Sequence, residues 1–164
     1  MAIYSLGWTN ITATAVANTT NYTDSGYPFF LQGGNSTQRL KVSEIYIGGE
    51  EASASSVTRM LFARDSTVGA SSISGVTNAL MDGSATAPGT TAVAGSTSTT
   101  KPQRSATLQL LNLAFNAYGG IVRWVAAPGL EIAIVGNTAS LGECSLSSQS
   151  GTGKTSGHCI YEVV

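Results

Sequence analysis

Ala106–Val135 reads ATLQLLNLAFNAYGGIVRWVAAPGLEIAIV, and its pattern decides the fold class. Three short runs rich in apolar residues are separated by glycine-containing turns at Tyr118–Gly120 and Ala127–Gly129. The first run alternates apolar with other side chains, and the other two are rich in β-branched residues, both of which are typical of β-strands. The alternation in the first run changes phase near Leu110 and Leu111. The stretch therefore predicts three successive strands.

Arg39–Ile47, earlier in the chain, also has the pattern of a strand, with one irregularity. Leu40 and Val42 share one face of this strand. Ile45 and Ile47 share the opposite face. Such a change of phase requires either a β-bulge or burial on both faces.

Other strands are predicted on both sides of these two stretches. Val57–Arg64 is apolar on both faces, which is typical of a central strand. Leu141–Ser147 and His158–Val163 are predicted to form a final hairpin around a Gly-Ser-Thr loop. Nine or ten short strands with a turn every 8 to 12 residues indicate an antiparallel β-sandwich, jelly-roll-like in type. Its predicted core includes Leu40, Val42, Met60, Phe62, Leu111, Leu113, Phe115, Trp124, Ile132 and Ile134.

The chain of 164 residues is predicted to form a single domain, residues 1–164. Residues 65–105 differ from the rest because they are rich in Ser, Thr, Ala and Gly and hold few large apolar side chains. Such a stretch buries too little surface to form core, so we expect an extended loop excursion from the sandwich.

Composition excludes several classes of function. Only 10% of the residues are charged and the net charge is −1, so the electrostatic footprint of a nucleic-acid-binding protein is missing. No apolar window is long enough to span a membrane, so we expect no membrane partner. The start of the chain lacks a positive region and a long apolar region, so we expect synthesis in the cytoplasm without a signal peptide.

The motifs that resemble catalytic or metal sites have simpler explanations. Ser150–Thr155 contains the GKT of a P-loop, but the first glycine of that motif is missing and the following residues are strand-like. Metal ligands are too few, since the chain has one histidine, His158, and two cysteines, Cys144 and Cys159. We expect the two cysteines to face each other across the final hairpin as free thiols. The sequence predicts no catalytic residues, no cofactor and no enzyme activity.

Lys101–Arg104, with the sequence KPQR, is a small basic cluster before the strongest predicted strand. Two interpretations stay open for Lys101 and Arg104. They are ordinary solvated charges, or they anchor the chain on a neutral or acidic protein surface.

Lys101–Asn137 resembles segments of small particle proteins of tailed bacteriophages. The residues that carry the resemblance are the turn FNAYGG at Phe115–Gly120, RWVAAPG at Arg123–Gly129 and the closing Gly136–Asn137. The opening of the chain and its last seven residues, HCIYEVV, fit the same type. The resemblance implies a capsid decoration, or cement, protein: a virion β-sandwich, often trimeric, that clamps neighbouring major capsid subunits. We then expect residues 65–105 to lie against neighbouring copies or the capsid, with Lys101 and Arg104 near that contact.

Two other classes of function stay open. The first is a sugar-binding module of a phage tail or fibre, in which Trp8, Trp124 and Tyr118 would stack on sugar rings. The second is a jelly-roll major capsid subunit. Such subunits usually carry a basic arm, whereas the first 38 residues here contain no Lys or Arg.

Overall fold

The computed structural model contains thirteen β-strands, and no helix occurs in the part of the chain that it describes. The described residues are 2–22, 27–33, 37, 39–52, 57–71, 77–83, 91–94, 98–136 and 142–164. The strands are β1 (Ala2–Thr14), β2 (Phe29–Gln32), β3 (Arg39–Glu50), β4 (Val57–Thr67), β5 (Ala70–Ser71), β6 (Thr77–Leu80), β7 (Thr91–Ala94), β8 (Ser98–Thr100), β9 (Gln103–Asn116), β10 (Tyr118–Val125), β11 (Ile132–Val135), β12 (Glu143–Ser150) and β13 (Thr152–Val163).

The strands form two antiparallel sheets that pack face to face. Sheet A has the order β10-β3-β13-β1-β6, and β11 continues the β10 edge alongside β3. Sheet B has the order β7-β2-β12-β4-β9. β5 and β8 form a separate two-stranded pair. The predicted all-β antiparallel sandwich is confirmed.

The main core lies between the two sheets. Of the ten predicted core residues, seven are buried: Leu40, Val42, Met60, Phe62, Leu113, Phe115 and Ile134. The other three, Leu111, Trp124 and Ile132, are half-buried and pack against the core from its margin. Each of these three lies on a strand at the edge of its sheet, where the opposing sheet covers less of the side chain.

The phase change in Arg39–Ile47 produces a β-bulge. Glu44 pairs with Ile160 and Val42 pairs with Tyr161, so Ser43 is the extra residue of β3. The Ser43 hydroxyl donates a hydrogen bond to the carbonyl oxygen of Ile160 at 3.3 Å. The bulge lets apolar side chains on both sides of Ser43 point into the core, as the sequence pattern predicts.

The phase change in β9 has the same origin. Leu111 pairs with Phe62 and Gln109 pairs with Ala63, so Leu110 is the extra residue. β4, the partner strand, is an interior strand of sheet B and is buried on both faces from Met60 to Ala63. This agrees with its apolar sequence.

Residues 65–105 contribute more to the sandwich than the sequence predicts. β6 lies within them and extends sheet A by pairing with β1. β7 lies within them too and extends sheet B by pairing with β2. Backbone hydrogen bonds, which need no large side chains, attach these short strands to sheets built by other residues. The rest of the expected excursion falls partly on 72–76, 84–90 and 95–97, which lie outside the described residues.

The predicted pairing of Cys144 with Cys159 in a final hairpin is wrong. β12, which carries Cys144, pairs with β2 and β4 in sheet B. β13, which carries Cys159, pairs with β1 and β3 in sheet A. Gly151, with a φ of 77°, turns the chain from one sheet into the other. Both cysteines are buried in the core as free thiols, and burial raises the pKa of each.

Gly157 offers a test of the packing between β1, β3 and β13. A Cβ at this position would lie 2.6 Å from Cζ2 of Trp8 and would also collide with the carbonyl oxygen of Tyr46. We expect Gly157→Ala to lower the free energy of unfolding by about 2 to 3 kcal/mol, because the core has no room for the methyl group. Urea denaturation of both proteins measures this loss.

Gly83→Ala is the matched control, since nothing lies within 4 Å of a Cβ at Gly83. Its free energy of unfolding should stay within about 0.5 kcal/mol of the parent value. Equal losses for the two variants would contradict the packing described for Gly157.

Candidate functional site

One side of the sandwich exposes the edge strands of both sheets. β9 is the last strand of sheet B and β10 is the last strand of sheet A. They follow each other in the chain through Ala117 and lie next to each other. Between Ser105 and Val122 the chain contains no Asp, Glu, Lys, Arg or Pro. From Ser105 to Val122 this side therefore lacks the charges and prolines with which proteins usually protect exposed strand edges, and the first exposed charge beyond this run is Arg123 on β10.

Large apolar side chains are exposed along the same side. We call this surface the apolar edge. Its members, with their exposed fractions, are Leu108 (38%), Tyr118 (58%), Ile121 (64%), Val125 (54%) and Leu130 (72%). The half-buried side chains of Leu110, Leu111, Val122 and Trp124 connect these residues to the core. Contiguous exposed apolar surface of this kind is typical of a protein-binding site.

A rigid turn projects from this edge between β10 and β11. The amide of Leu130 donates a hydrogen bond to the carbonyl oxygen of Ala127 at 2.9 Å. Pro128 occupies the second position of the turn, and Gly129, with a φ of 82°, occupies the third. This is the pattern of a type II turn, which restricts the backbone before any partner binds. The turn thus presents Leu130 at little further cost in conformational entropy.

A charged cluster borders the apolar edge on the outer face of sheet A. The guanidinium of Arg123 donates two hydrogen bonds to the carboxylate of Glu44, at 3.0 and 2.9 Å. These contacts hold the pKa of Glu44 below its usual range. The ring of His158 lies 3.0 Å from the same carboxylate and stacks on Tyr46. The charge of Arg123, on the edge strand β10, is therefore balanced within the chain.

The outer face of sheet B carries a second group of polar residues, which is fully buried. Residues 15–22, which we call the strap, cross this face and seal it. Val16 and Tyr22 of the strap pack with Tyr27 and Phe30 in a small apolar cluster of their own. The amides of Thr19 and Tyr22 donate to the carbonyl oxygens of Arg104 and Pro102, at 3.0 and 3.1 Å.

Arg104 lies at the centre of this buried group. Its Nε donates to Oδ1 of Asn18 at 2.8 Å, and its two terminal nitrogens donate to Val16 O and to Ser147. The strap and β12 are thus held by one side chain. A buried guanidinium is tolerated only when its donors are satisfied in this way.

A pair of buried carboxyl groups lies beside Arg104. Asp65 on β4 accepts a hydrogen bond from Ser145, and Glu143 on β12 accepts hydrogen bonds from the amide of Gly69 at 2.9 and 3.1 Å. Burial raises the pKa of Asp65 to about 7 and that of Glu143 to about 10, and each carboxyl also affects the pKa of the other. We therefore expect Glu143 to be protonated at neutral pH.

The two residues predicted as partner contacts lie in different environments. Lys101 is half-buried near the surface, and its contact with a partner stays a prediction. Arg104 is fully buried, and its donors bind groups of this same chain. We therefore assign Arg104 to the fold. The apolar edge itself was not predicted as a site, although the uncharged run from Ser105 to Val122 is its sequence signal.

The structure gives no support to the chemistry that the motifs suggest. Gly153, Lys154 and Thr155 of the GKT motif lie within β13, and no helix follows them. No three metal-binding side chains come together among the described residues. Within those residues there is also no helix with the length and apolar character that crossing a membrane requires. Comparisons with protein-family models, with curated proteins and with solved structures find no match to this chain.

Replacing Arg104 tests its structural role. We expect Arg104→Ala to lower the free energy of unfolding by about 3 to 5 kcal/mol, because Asp65, Asn18 and Ser147 lose a buried partner. Arg123→Ala is the matched control, since that side chain is exposed and its ion pair with Glu44 contributes under about 1 kcal/mol. Urea denaturation compares the two. Similar losses would contradict a structural role for Arg104.

Glu143 makes the stability depend on pH. Its ordinary pKa is 4.5, and the folded chain raises this pKa chiefly because burial penalises the carboxylate. The folded chain therefore keeps a proton that the unfolded chain releases above that pH. The stabilisation is complete below pH 4.5 and is lost as the pH rises towards the folded pKa.

We expect Glu143→Gln to remove this loss, because a neutral amide can donate to Asp65 at every pH. Between about pH 6 and about pH 9, the parent should lose up to about 1.4 kcal/mol of unfolding free energy per pH unit relative to the variant. Urea denaturation across this range measures both slopes. Parallel slopes would show that Glu143 is not protonated in the folded chain.

Proposed function

We propose that this chain is a structural virion protein that binds the outer surface of a phage capsid and stabilises contacts between major capsid subunits. Its location would be the capsid surface, its partner the major capsid protein, and its state a homo-oligomer. The trimer is the state that the resemblance to decoration proteins implies. The proposed role requires no cofactor and no catalytic residue.

The observation that carries the proposal is where the resembling stretch lies in the fold. Lys101–Asn137 includes β9, β10, the turn at Ala127–Leu130 and β11. These elements build the apolar edge, where large apolar side chains are exposed and the charge of Arg123 on β10 is paired with Glu44. A protein that holds other subunits together needs such a surface, since apolar contact supplies most of the free energy of association.

The sugar-binding alternative loses one of its three aromatic residues. Trp8 is buried, packs against Phe29 with ring centroids 5.2 Å apart, and donates a hydrogen bond from Nε1 to Thr155. Its ring therefore has no face free for a sugar. Tyr118 is exposed and Trp124 is half-buried, so these two aromatic side chains are the ones left to stack on a sugar.

Co-sedimentation with capsid shells of the phage that encodes the chain tests the proposal. We expect the chain to sediment with the shells. We also expect Leu130→Asp to weaken binding at least about tenfold, because the charge would have to leave water on binding. Leu130 is 72% exposed, so the substitution should leave the fold intact.

Val57→Asp is the matched control, because Val57 is also 72% exposed but lies at the start of β4, away from the turn. It should bind shells like the parent. Failure of the parent to sediment with shells, together with binding to a glycan array, would replace the proposal with the sugar-binding alternative. Equal weakening by both variants would contradict the role of the turn.

A further inference from the structure

β9 leaves hydrogen-bonding groups of its backbone without a partner strand. It is the longest of the described strands, with 14 residues. Among the described residues it pairs with β4, and Asn21 of the strap bridges its first residue, Gln103. Pairing with β4 is interrupted between Arg104 and Gln109, which are matched with Asp65 and Ala63. Ala106, Thr107 and Leu108, inside this interruption, are exposed. The strand thus offers a long, uncharged and partly apolar edge to the solvent.

The opposite side of the sandwich ends in shorter strands in the part of the chain that the structure describes. There the sheets end in β6 and β7, each four residues long. Short edge strands are one of the ways in which proteins avoid unwanted pairing. β9 is long and uncharged from Ser105 to Asn116, so its edge is suited to being covered by another strand.

We propose that β9 pairs antiparallel with β9 of a second copy of this chain, across a two-fold axis, to join two B sheets into one continuous sheet. Such a contact is isologous, because each copy gives and receives the same residues. The inference goes beyond capsid binding and does not depend on it. It predicts an even-numbered oligomer, in place of the trimer that the resemblance implies.

Charge is the first reason for choosing a second copy as the occupant. An identical strand laid antiparallel on β9 places uncharged residues opposite uncharged residues throughout Ser105–Asn116. No like charges oppose each other, which is the usual obstacle to pairing between identical strands. A strongly charged partner, in contrast, would find no complementary group on this strand.

The second reason is the backbone of the strand. Hydrogen bonds between the two β9 strands would satisfy backbone groups that have no partner strand among the described residues, and they would fix the register of the pairing. Leu108, which is 38% exposed on β9, would be covered by the same contact.

Sedimentation equilibrium of the purified chain, without capsids, tests the proposal. We expect a dimer at micromolar concentration. A double substitution, Leu108→Lys with Asn112→Lys, should raise the dissociation constant at least about 100-fold, because like charges would then face each other across the axis. Both residues are exposed, so the fold should be retained, which far-UV circular dichroism checks.

Ile3→Lys is the matched control. Ile3 is a 44% exposed apolar residue on β1, an interior strand of sheet A. This variant should dimerise like the parent. A variant with Leu108→Glu and Asn112→Glu should be monomeric alone but should form a mixed dimer with the lysine variant, because opposite charges then meet.

A monomeric parent at high concentration would overturn the proposal, and so would dimers that survive both double substitutions. A trimer would show that the edge is used in a different, head-to-tail arrangement and would also overturn it. Leu130→Asp, the variant that tests capsid binding, lies on the turn between β10 and β11 and not on β9, so it should dimerise like the parent. Dimerisation and capsid binding are thus tested by different variants, and the two proposals can fail independently.

Discussion

The buried guanidinium of Arg104 is the group on which the covering of sheet B depends. It joins the strap to β12 through hydrogen bonds to Val16, Asn18 and Ser147. Its charge also lowers the pKa of Asp65, one of the two buried carboxyls on the same face. Because Asp65 lies on β4, the charge of Arg104 also acts on an interior strand of the sheet. A chain with so few ionisable side chains thus places three of them, Asp65, Arg104 and Glu143, in one buried cluster.

The small number of charged residues also explains the difference between the outer face of sheet A and the neighbouring edge formed by β9 and β10. Arg123 and Glu44 neutralise each other on the outer face of sheet A. The edge formed by β9 and β10 is left to apolar and small polar side chains from Ser105 to Val122. Water binds weakly along this edge, so a protein that covers the edge displaces this water at little cost in free energy. Such an edge is well suited to contact with another protein.

Much of the fold could be predicted from local pattern, because a strand with one buried face alternates visibly. The phase changes at Ser43 and Leu110 even located irregularities that the structure shows as bulges. For Ser72–Met81 the sequence left a helical turn and a short edge strand open, and the structure has the strand β6 at Thr77–Leu80. β7 could not be predicted from local pattern, since backbone pairing with β2 attaches it. The sequence also did not predict the burial of Arg104. Its neighbours Lys101 and Pro102 are typical of a surface, and its partners come from residues 43 and 88 positions away in the chain.

The turn at Gly151 has a consequence for how the chain is made. β12 and β13, on either side of Gly151, are the middle strands of sheets B and A. The strands that are synthesised before Glu143 therefore lack the middle strand of their sheet, β12 or β13. Sheet B cannot form completely before β12 is synthesised, and sheet A cannot form completely before β13 is synthesised. The strands that pair with β12 and β13 lie far from them in sequence. Folding of this sandwich thus waits for β12 and β13, and until then the apolar side chains of the earlier strands stay exposed.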